Sequence, residues 1–234
     1  MVRRQMMPTP TRKIIFFVTE DWYFCSHRLP LAIAAKDAGF DVVVITRVVN
    51  HGELIRQSGI RGTPFNISRR SMNPFKELVA ILRLCSIYRN EHPDIVHHVA
   101  IKPVLYGSIA ARLAGVLHVI NALAGLGWLF TSTSKQARLL QAIVRRAFYF
   151  LLARSTVIVQ NDDDVLILRD IGIAKQRINL IRGSGVNTFD YALHPESAGV
   201  PVVMLPARIL WDKGVGEFVE AAETWSKCKI CFGG

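Results

Sequence analysis

The 234-residue sequence has little cysteine, few acidic residues and no long uninterrupted apolar run. Its four cysteines, at positions 25, 85, 228 and 231, are too few for a secreted disulfide scaffold of this size, so a reduced compartment is expected. Arg or Lys interrupts each apolar run well short of the roughly 18 residues that cross a bilayer. No secretory signal core precedes the first strand-like run. The sequence therefore predicts a cytoplasmic protein, soluble or peripheral at a membrane.

Familiar cofactor motifs are also missing. Gly125-Leu126-Gly127 follows a predicted strand, but Phe130 stands where the dinucleotide fingerprint needs a third small residue. No P-loop lysine pattern occurs, and Cys228 and Cys231 do not supply the four ligands of a structural zinc site. We therefore expect no nicotinamide, flavin or metal cofactor.

Basic residues exceed acidic ones by 29 to 18, which gives a formal charge of +11. Such an excess favours anionic partners: nucleic acid, anionic lipid or phosphorylated substrates. The predicted helix at 135–154 is basic and amphipathic, so it could lie on anionic lipid, or it could simply expose a solvated basic face. Nucleic acid is not an expected partner, because aromatic residues do not interleave with basic residues on strands and no docking motif occurs.

Strand-like and helical segments alternate from residue 13 to residue 182. The strands are near-continuous apolar runs, which is typical of a parallel sheet covered on both faces. One long segment, 73–91, predicts an amphipathic helix that carries on one face Phe75, Leu78, Val79, Leu82 and Cys85. The pattern predicts a doubly wound α/β domain of the Rossmann-like type. In such sheets ligands bind at the carboxyl ends of the strands, here at segments 20–28, 98–103 and 122–130.

The pattern changes after residue 182. Residues 183–199 are poor in apolar residues and contain Gly, Ser, Asn and Pro, so they are interpreted as a linker. Residues 200–234 begin a second α/β unit that we expect to be truncated, because one strand and one helix cannot form a core. Arg208 and Lys213 precede the start of its helix, where two cations make an anion site suited to a diphosphate.

Two other polar groups admit alternatives. Asp162, Asp163 and Asp164 follow Asn161, an order that favours a capped helix start over a metal cluster. His97 and His98 are neighbours on a predicted strand, so their side chains point to opposite faces. Each is either a buried hydrogen-bonded histidine or a residue within reach of a ligand.

Several segments, taken in order, resemble the retaining glycosyltransferases of family 4, whose GT-B fold has two facing Rossmann-like domains. They are Ser26–Ala32, Val99–Gly107, Asn121–Gly127, Val159–Asp163, Gly183–Asn187 and Ala207–Val215. The resemblance covers residues 13–222 and is greatest to enzymes that extend lipid-linked oligosaccharides or polysaccharide units. It implies sugar transfer from a nucleotide diphosphate donor, expected to be a UDP-sugar, to an undecaprenyl-linked or other saccharide acceptor, without a metal.

The resemblance also implies roles for individual residues. Arg208 and Lys213 would hold the donor diphosphate and assist its departure. The residues that would line the acceptor cleft of the first domain are His27, Arg28, Lys102, Asn121, Gly125 and Gly127. An interdomain loop would comprise Gly183, Ser184 and Gly185.

One departure from the family affects catalysis. The family's second domain supplies a pair of glutamates separated by seven residues, and Glu217, Glu220 and Glu223 do not give that spacing. No catalytic residue is therefore assigned. We expect the 234-residue chain to be an inactive transferase; the alternative is a non-catalytic fragment that binds only acceptor or membrane.

Overall fold

The computed structural model describes residues 11–67, 73–123, 125–126, 145–183, 185, 188–190, 195, 199–207, 209, 211–224 and 229–233. The chain divides into two compact units, residues 1–185 and 186–234, and each is described by itself. The predicted domain and linker boundaries stay predictions.

The first unit is built on a seven-stranded, fully parallel sheet. Its strands are β1 (Lys13–Glu20), β2 (Asp41–Arg47), β3 (Arg61–Pro64), β4 (Ile95–Val99), β5 (His118–Ala122), β6 (Thr156–Val159) and β7 (Ile178–Leu180). Their spatial order is β3-β2-β1-β4-β5-β6-β7, so β1 is central and the chain winds outward in both directions. This arrangement confirms the predicted doubly wound α/β sheet.

Helices connect the strands. They are α1 (Asp21–His27), α2 (Leu29–Asp37), α3 (Gly52–Gln57), α4 (Pro74–Glu91), α5 (Ile101–Ala114), α6 (described at 145–152) and α7 (Asp162–Ile171). Core residues cover both faces of the sheet: Phe16 packs edge-on against Phe24, and Phe17 on the opposite face packs edge-on against Phe65. The alternation of β1 side chains thus supplies two hydrophobic layers.

Among the described residues, two helix starts have side-chain caps. The Asn161 carboxamide oxygen accepts from the Asp164 N–H at 2.7 Å, which confirms the capping interpretation of the Asp162–Asp164 run. At α4 the Asn73 side chain accepts from the N–H groups of Phe75 and Lys76. The helix thereby gains partners for donors that would otherwise be unpaired.

The segment after β1 is mostly helical. A helix, α1, follows β1 directly and ends at His27, and α2 begins at Leu29. Arg28 separates the two with φ of −128°, outside the helical region. Pro30 then lies in the first turn of α2, where its missing N–H has no helical partner to lose.

Helix α4 does not bury the apolar face expected from its sequence. Leu84, Cys85 and Tyr88 face the core, and Cys85 is the only member of the predicted face among them. Phe75, Leu78, Val79 and Leu82 are exposed. The helix therefore has an outward apolar stripe in addition to its packed side.

The second unit contains two parallel strands, β8 (Val202–Pro206) and β9 (Lys229–Gly233), with α8 (Val215–Thr224) between them in the chain. Strand β9 was not predicted. Across the described residues no helix is long and apolar enough to cross a membrane. Residues 135–144 of the predicted basic helix lie outside the described residues.

Candidate functional site at the carboxyl edge of the sheet

Three central strands end side by side. Val18 of β1 is in register with Val99 of β4, and Val99 with Ala122 of β5. The segments that leave these strands therefore meet at one edge, where parallel α/β sheets bind ligands. The Ala100 N–H donates to the Ala122 carbonyl at 3.0 Å, which joins the second and third of these segments.

The turn between β4 and α5 is strained. Ala100 has φ of 79° and ψ of 163°, a conformation that is nearly exclusive to glycine. Backbone strain of this kind clusters at binding and catalytic sites, where the surrounding structure enforces it. The strained turn makes the Val99–Gly107 segment a candidate site element, and α5 begins immediately after Ala100.

Asp21 holds a second loop at this edge. One of its carboxylate oxygens accepts from three successive backbone N–H groups, those of Val49, Asn50 and His51, at 2.7 to 2.9 Å. Burial alone would raise the pKa of Asp21, but these bonds and one from the Trp22 N–H lower it below its ordinary value. Asp21 therefore remains a carboxylate and fixes the loop after β2 to the start of α1. Sequence reasoning missed it, since a lone Asp after a strand carries no motif.

The predicted cleft residues His27 and Arg28 lie at the junction of α1 and α2. His27 stacks on Tyr23 with ring centroids 4.3 Å apart, and its Nδ1 lies 2.6 Å from the Ser26 hydroxyl. The Nε of Arg28 is buried without a hydrogen-bond partner among the described residues. An unpartnered buried donor at the ligand edge is a candidate contact for a bound group.

His97 has the same property. Its ring stacks on Phe16, and its Nε2 is buried without a hydrogen-bond partner among the described residues. Burial, the charge of Arg28 and the neighbouring His98 lower the pKa of His97 to about 3. The imidazole of His97 is therefore neutral, and the Arg28 guanidinium lies near enough to influence its pKa.

Lys102 is engaged inside the first unit. Its ammonium lies 3.1 Å from Glu77 Oε1 and 5.3 Å from the centre of the Tyr106 ring. Burial and the neighbouring Glu77 raise the pKa of Tyr106. Lys102, which the resemblance places in the acceptor cleft, is therefore already paired with a carboxylate of α4.

Asn121 is fully buried, and both polar atoms of its side chain have partners within the first unit. Its Oδ1 lies 2.8 Å from His98 Nδ1 and its Nδ2 donates to Ser155 Oγ at 3.0 Å. The other nitrogen of His98 lies 3.1 Å from the Tyr88 hydroxyl, and burial lowers the pKa of His98 to about 4. Since a neutral His98 with its proton on Nδ1 satisfies every member, the group forms a directional chain inside the protein. Of the two alternatives predicted for His98, the structure supports the buried, hydrogen-bonded histidine.

The third edge segment is held by a carboxylate of the predicted helix start, in a contact that the sequence did not predict. The Leu126 N–H donates to Asp164 Oδ1 at 2.8 Å, and Asp164 is buried at the start of α7. Gly125 before it has φ of 81°, which explains the glycine at that position. Gly127 lies outside the described residues.

The remaining predicted residues are only partly described. Lys213 is exposed and ends a 3₁₀ turn, Trp211–Lys213, just before α8, while Arg208 lies outside the described residues. Gly183 and Gly185 both have positive φ, and Ser184 between them lies outside the described residues. Within the described part of the chain no group of three His, Cys, Asp or Glu side chains could hold a metal ion.

Comparisons with known proteins identify related sequences. A family model described as Glycosyl transferase 4-like matches residues 13–161. A Campylobacter jejuni protein named N,N'-diacetylbacillosaminyl-diphospho-undecaprenol alpha-1,3-N-acetylgalactosaminyltransferase is 27% identical over 210 residues, 83% of this chain and 56% of that protein. An Escherichia coli UDP-Gal:alpha-D-GlcNAc-diphosphoundecaprenol alpha-1,3-galactosyltransferase is 26% identical over 112 residues, 48% of this chain and 28% of that protein.

Solved structures show the same fold. A glycosyltransferase from Rickettsia africae has a TM-score of 0.66 at 19% identity and covers 95% of this chain. The Anabaena protein Alr3699/HepE, solved in complex with UDP and glucose, has a TM-score of 0.69 at 16% identity and covers 94% of this chain. The chain spans 60% of the length of each of these structures, and about half the length of the Campylobacter relative.

Proposed function

The chain belongs to the glycosyl transferase 4-like family, and from this premise we propose that it takes part in sugar transfer to a lipid-linked saccharide. The donor is a nucleotide diphosphate sugar, in our proposal a UDP-sugar, and the acceptor is a saccharide on undecaprenyl diphosphate. The match to the Campylobacter transferase over 83% of the chain carries the proposal. The relatives' names specify both substrate classes, and we extend those classes to this protein.

The first unit would bind the acceptor at the carboxyl edge. Arg28 and His97 support this assignment, because each has a buried, unpartnered nitrogen there that an acceptor hydroxyl or phosphate could engage. Asp21 and Asp164 would hold the surrounding loops in place. Pre-organised loops of this kind reduce the entropy lost on binding.

The second unit would bind the donor diphosphate through Arg208 and Lys213. In the transfer the bond between the sugar's anomeric carbon and the diphosphate oxygen breaks, and a bond from that carbon to an acceptor hydroxyl oxygen forms. The hydroxyl proton is released and the nucleoside diphosphate leaves. Cations on the diphosphate would stabilise the developing negative charge, so the proposal includes no metal or other cofactor. We place the reaction at the cytoplasmic face of a membrane, where the acceptor lipid is held.

A transfer assay with defined substrates tests the proposal. Purified protein is incubated with radiolabelled UDP-sugars and a short-chain undecaprenyl-diphosphate saccharide analogue, and label is counted in the lipid extract. Acceptor binding is measured in parallel by saturation-transfer NMR. We expect saturable acceptor binding that Arg28→Ala weakens by about tenfold, an amount typical of one lost charged hydrogen bond.

Matched variants separate specific from general effects. Arg169→Ala removes an exposed arginine of α7 and should leave acceptor binding unchanged. Lys213→Ala should lower transfer, whereas Lys175→Ala, which removes an exposed lysine of the first unit, should not. Absence of both transfer and saturable acceptor binding in folded protein would refute the proposal. Binding without transfer would instead favour the acceptor-binding, non-catalytic alternative.

A further inference from the structure

The outward face of α4 is apolar. Phe75 is 80% exposed, Leu78 54%, Val79 46% and Leu82 54%. At 3.6 residues per turn these four side chains fall within an arc of about 100°, so they form one continuous stripe. The opposite side of the same helix is already packed through Leu84 and Tyr88, and Cys85 is buried at the border of the stripe. The stripe is therefore additional to what the fold of the first unit requires.

The exposed charges of α4 are all positive. Lys76, Arg83 and Arg89 are exposed on this helix. Its two carboxylates are turned inward into ion pairs: Glu77 lies 3.1 Å from Lys102, and Glu91 lies 2.6 Å from Arg61 and 2.9 Å from Lys13. The outward surface of the helix thus combines an apolar stripe with cations, and its two glutamates are half-buried in ion pairs.

A groove runs beside the stripe. It encloses about 800 Å³ between α4 and residues 64–66. Phe75 and Val79 lie along its wall together with Lys76 and Arg83, so apolar and cationic groups face the same space. A phospholipid presents this combination of an anionic headgroup and an acyl chain.

We propose that the outward face of α4 lies on the surface of an anionic phospholipid bilayer, with its apolar stripe at the level of the acyl chains and Lys76 and Arg83 at the phosphates. Charge complementarity selects this occupant. A second copy meeting the same face across a two-fold axis would bring like charges together, which disfavours a dimer. The inference deepens the proposed function, since it names the surface on which a lipid-linked acceptor would be met.

Vesicle co-sedimentation of the full chain tests the proposal. The vesicles are phosphatidylcholine alone or phosphatidylcholine with about one-third phosphatidylglycerol, and no donor or acceptor is added. We expect binding to the anionic vesicles that falls as ionic strength is raised. The double variants Phe75→Ser with Leu82→Ser, and Lys76→Glu with Arg83→Glu, should each weaken binding by about tenfold or more.

Two controls match these changes. Leu117→Ser alters a leucine that is 86% exposed between α5 and β5, and Lys175→Glu reverses a charge far from α4 in the sequence. Both should bind vesicles like the unchanged protein. Circular dichroism melts of every variant verify that the fold is retained.

Three outcomes would overturn the proposal: no binding to anionic vesicles, equal binding by the α4 variants, or a dimer in sedimentation equilibrium that the Phe75→Ser and Leu82→Ser changes dissociate. The test is separable from the transfer assay. Variants of α4 should keep the binding of a water-soluble acceptor analogue, so vesicle binding without any acceptor binding would count against the proposed function alone.

Discussion

Gly107 of α5 leaves room for the imidazole of His98. A Cβ built at position 107 would lie 2.5 Å from His98 Nε2 and 2.7 Å from its Cε1. The ring cannot withdraw, because it is hydrogen-bonded to Tyr88 on one side and Asn121 on the other. The glycine therefore permits the close approach of α5 to β4 on which the buried chain depends.

Gly107→Ala should destabilise the protein by about 1–3 kcal/mol, as overpacking in a rigid core does. Urea denaturation followed by fluorescence measures the loss. The matched control is Gly62→Ala in the edge strand β3, where the new methyl would lie 3.7 Å from Ile55. That change should stay within about 0.5 kcal/mol of the unchanged protein. Equal effects of the two substitutions would contradict a special fit at Gly107.

Asn121→Ala should lower the free energy of unfolding by about 2–4 kcal/mol, because it leaves the buried Nδ1 of His98 without a partner and removes the donor to Ser155 Oγ, which keeps only its bond to the Leu152 carbonyl. The same urea experiment applies, with Asn179→Ala as control because Asn179 is exposed. If stability were unchanged and acceptor binding weakened instead, Asn121 would be a ligand contact as predicted from the sequence.

Asp21→Asn should destabilise the protein by about 1–3 kcal/mol at neutral pH, because the charged acceptor of several backbone N–H groups is lost. The folded-state pKa of Asp21 lies below its ordinary value. The carboxylate therefore contributes its stability above the unfolded pKa of about 4, and that contribution is lost as pH falls through the folded pKa. The stability difference between the two proteins should shrink below pH 4 or so. Asp37→Asn, which changes an exposed carboxylate, should show no such pH-dependent difference.

Lowering the pH from 7 towards 5 should destabilise the protein through His97 and His98. Their folded-state pKa values are about 3 and about 4. In the unfolded chain both histidines take up protons near the ordinary histidine pKa of about 6.5, whereas in the folded protein they stay neutral at that pH. For each histidine, the free energy of unfolding falls by up to about 1.4 kcal/mol per pH unit below that pKa. His97→Leu should reduce this slope, and His118→Gln, at an exposed position, should leave it unchanged.

Ala100→Gly should stabilise the protein by about 1 kcal/mol, because glycine adopts the positive φ of the β4–α5 turn without strain. Thermal denaturation detects a change of this size. Ala34→Gly, in the middle of α2, should instead destabilise by a similar amount, since glycine lowers helix propensity. A destabilised Ala100→Gly protein would show that the turn is not strained.

The doubly wound parallel sheet of the first unit was predictable, because apolar strands such as β1 and β2 alternate with helical segments in a parallel-sheet pattern. Helix α4 shows where pattern reading fails: periodicity identified an apolar face but could not say which side packs, and tertiary contacts chose Leu84 and Tyr88. Asn121 sits in a segment with family resemblance, yet it lies within β5 of a sheet that is covered on both faces, where its side chain is buried. Asp21 and Asp164 act on distant backbone N–H groups, which leave no mark in local sequence.

The bond between Asp21 and the Val49–His51 backbone has a consequence for engineering this protein. The segments after β1 and β2 are therefore coupled. Exchanging only one of them for a relative's segment would leave either the Asp21 carboxylate or three backbone N–H groups without hydrogen-bond partners. Chimaeras made to test the proposed acceptor binding should therefore transplant residues 20–28 and 47–52 together. At this edge of the sheet, the segments after β1 and β2 act as one structural unit.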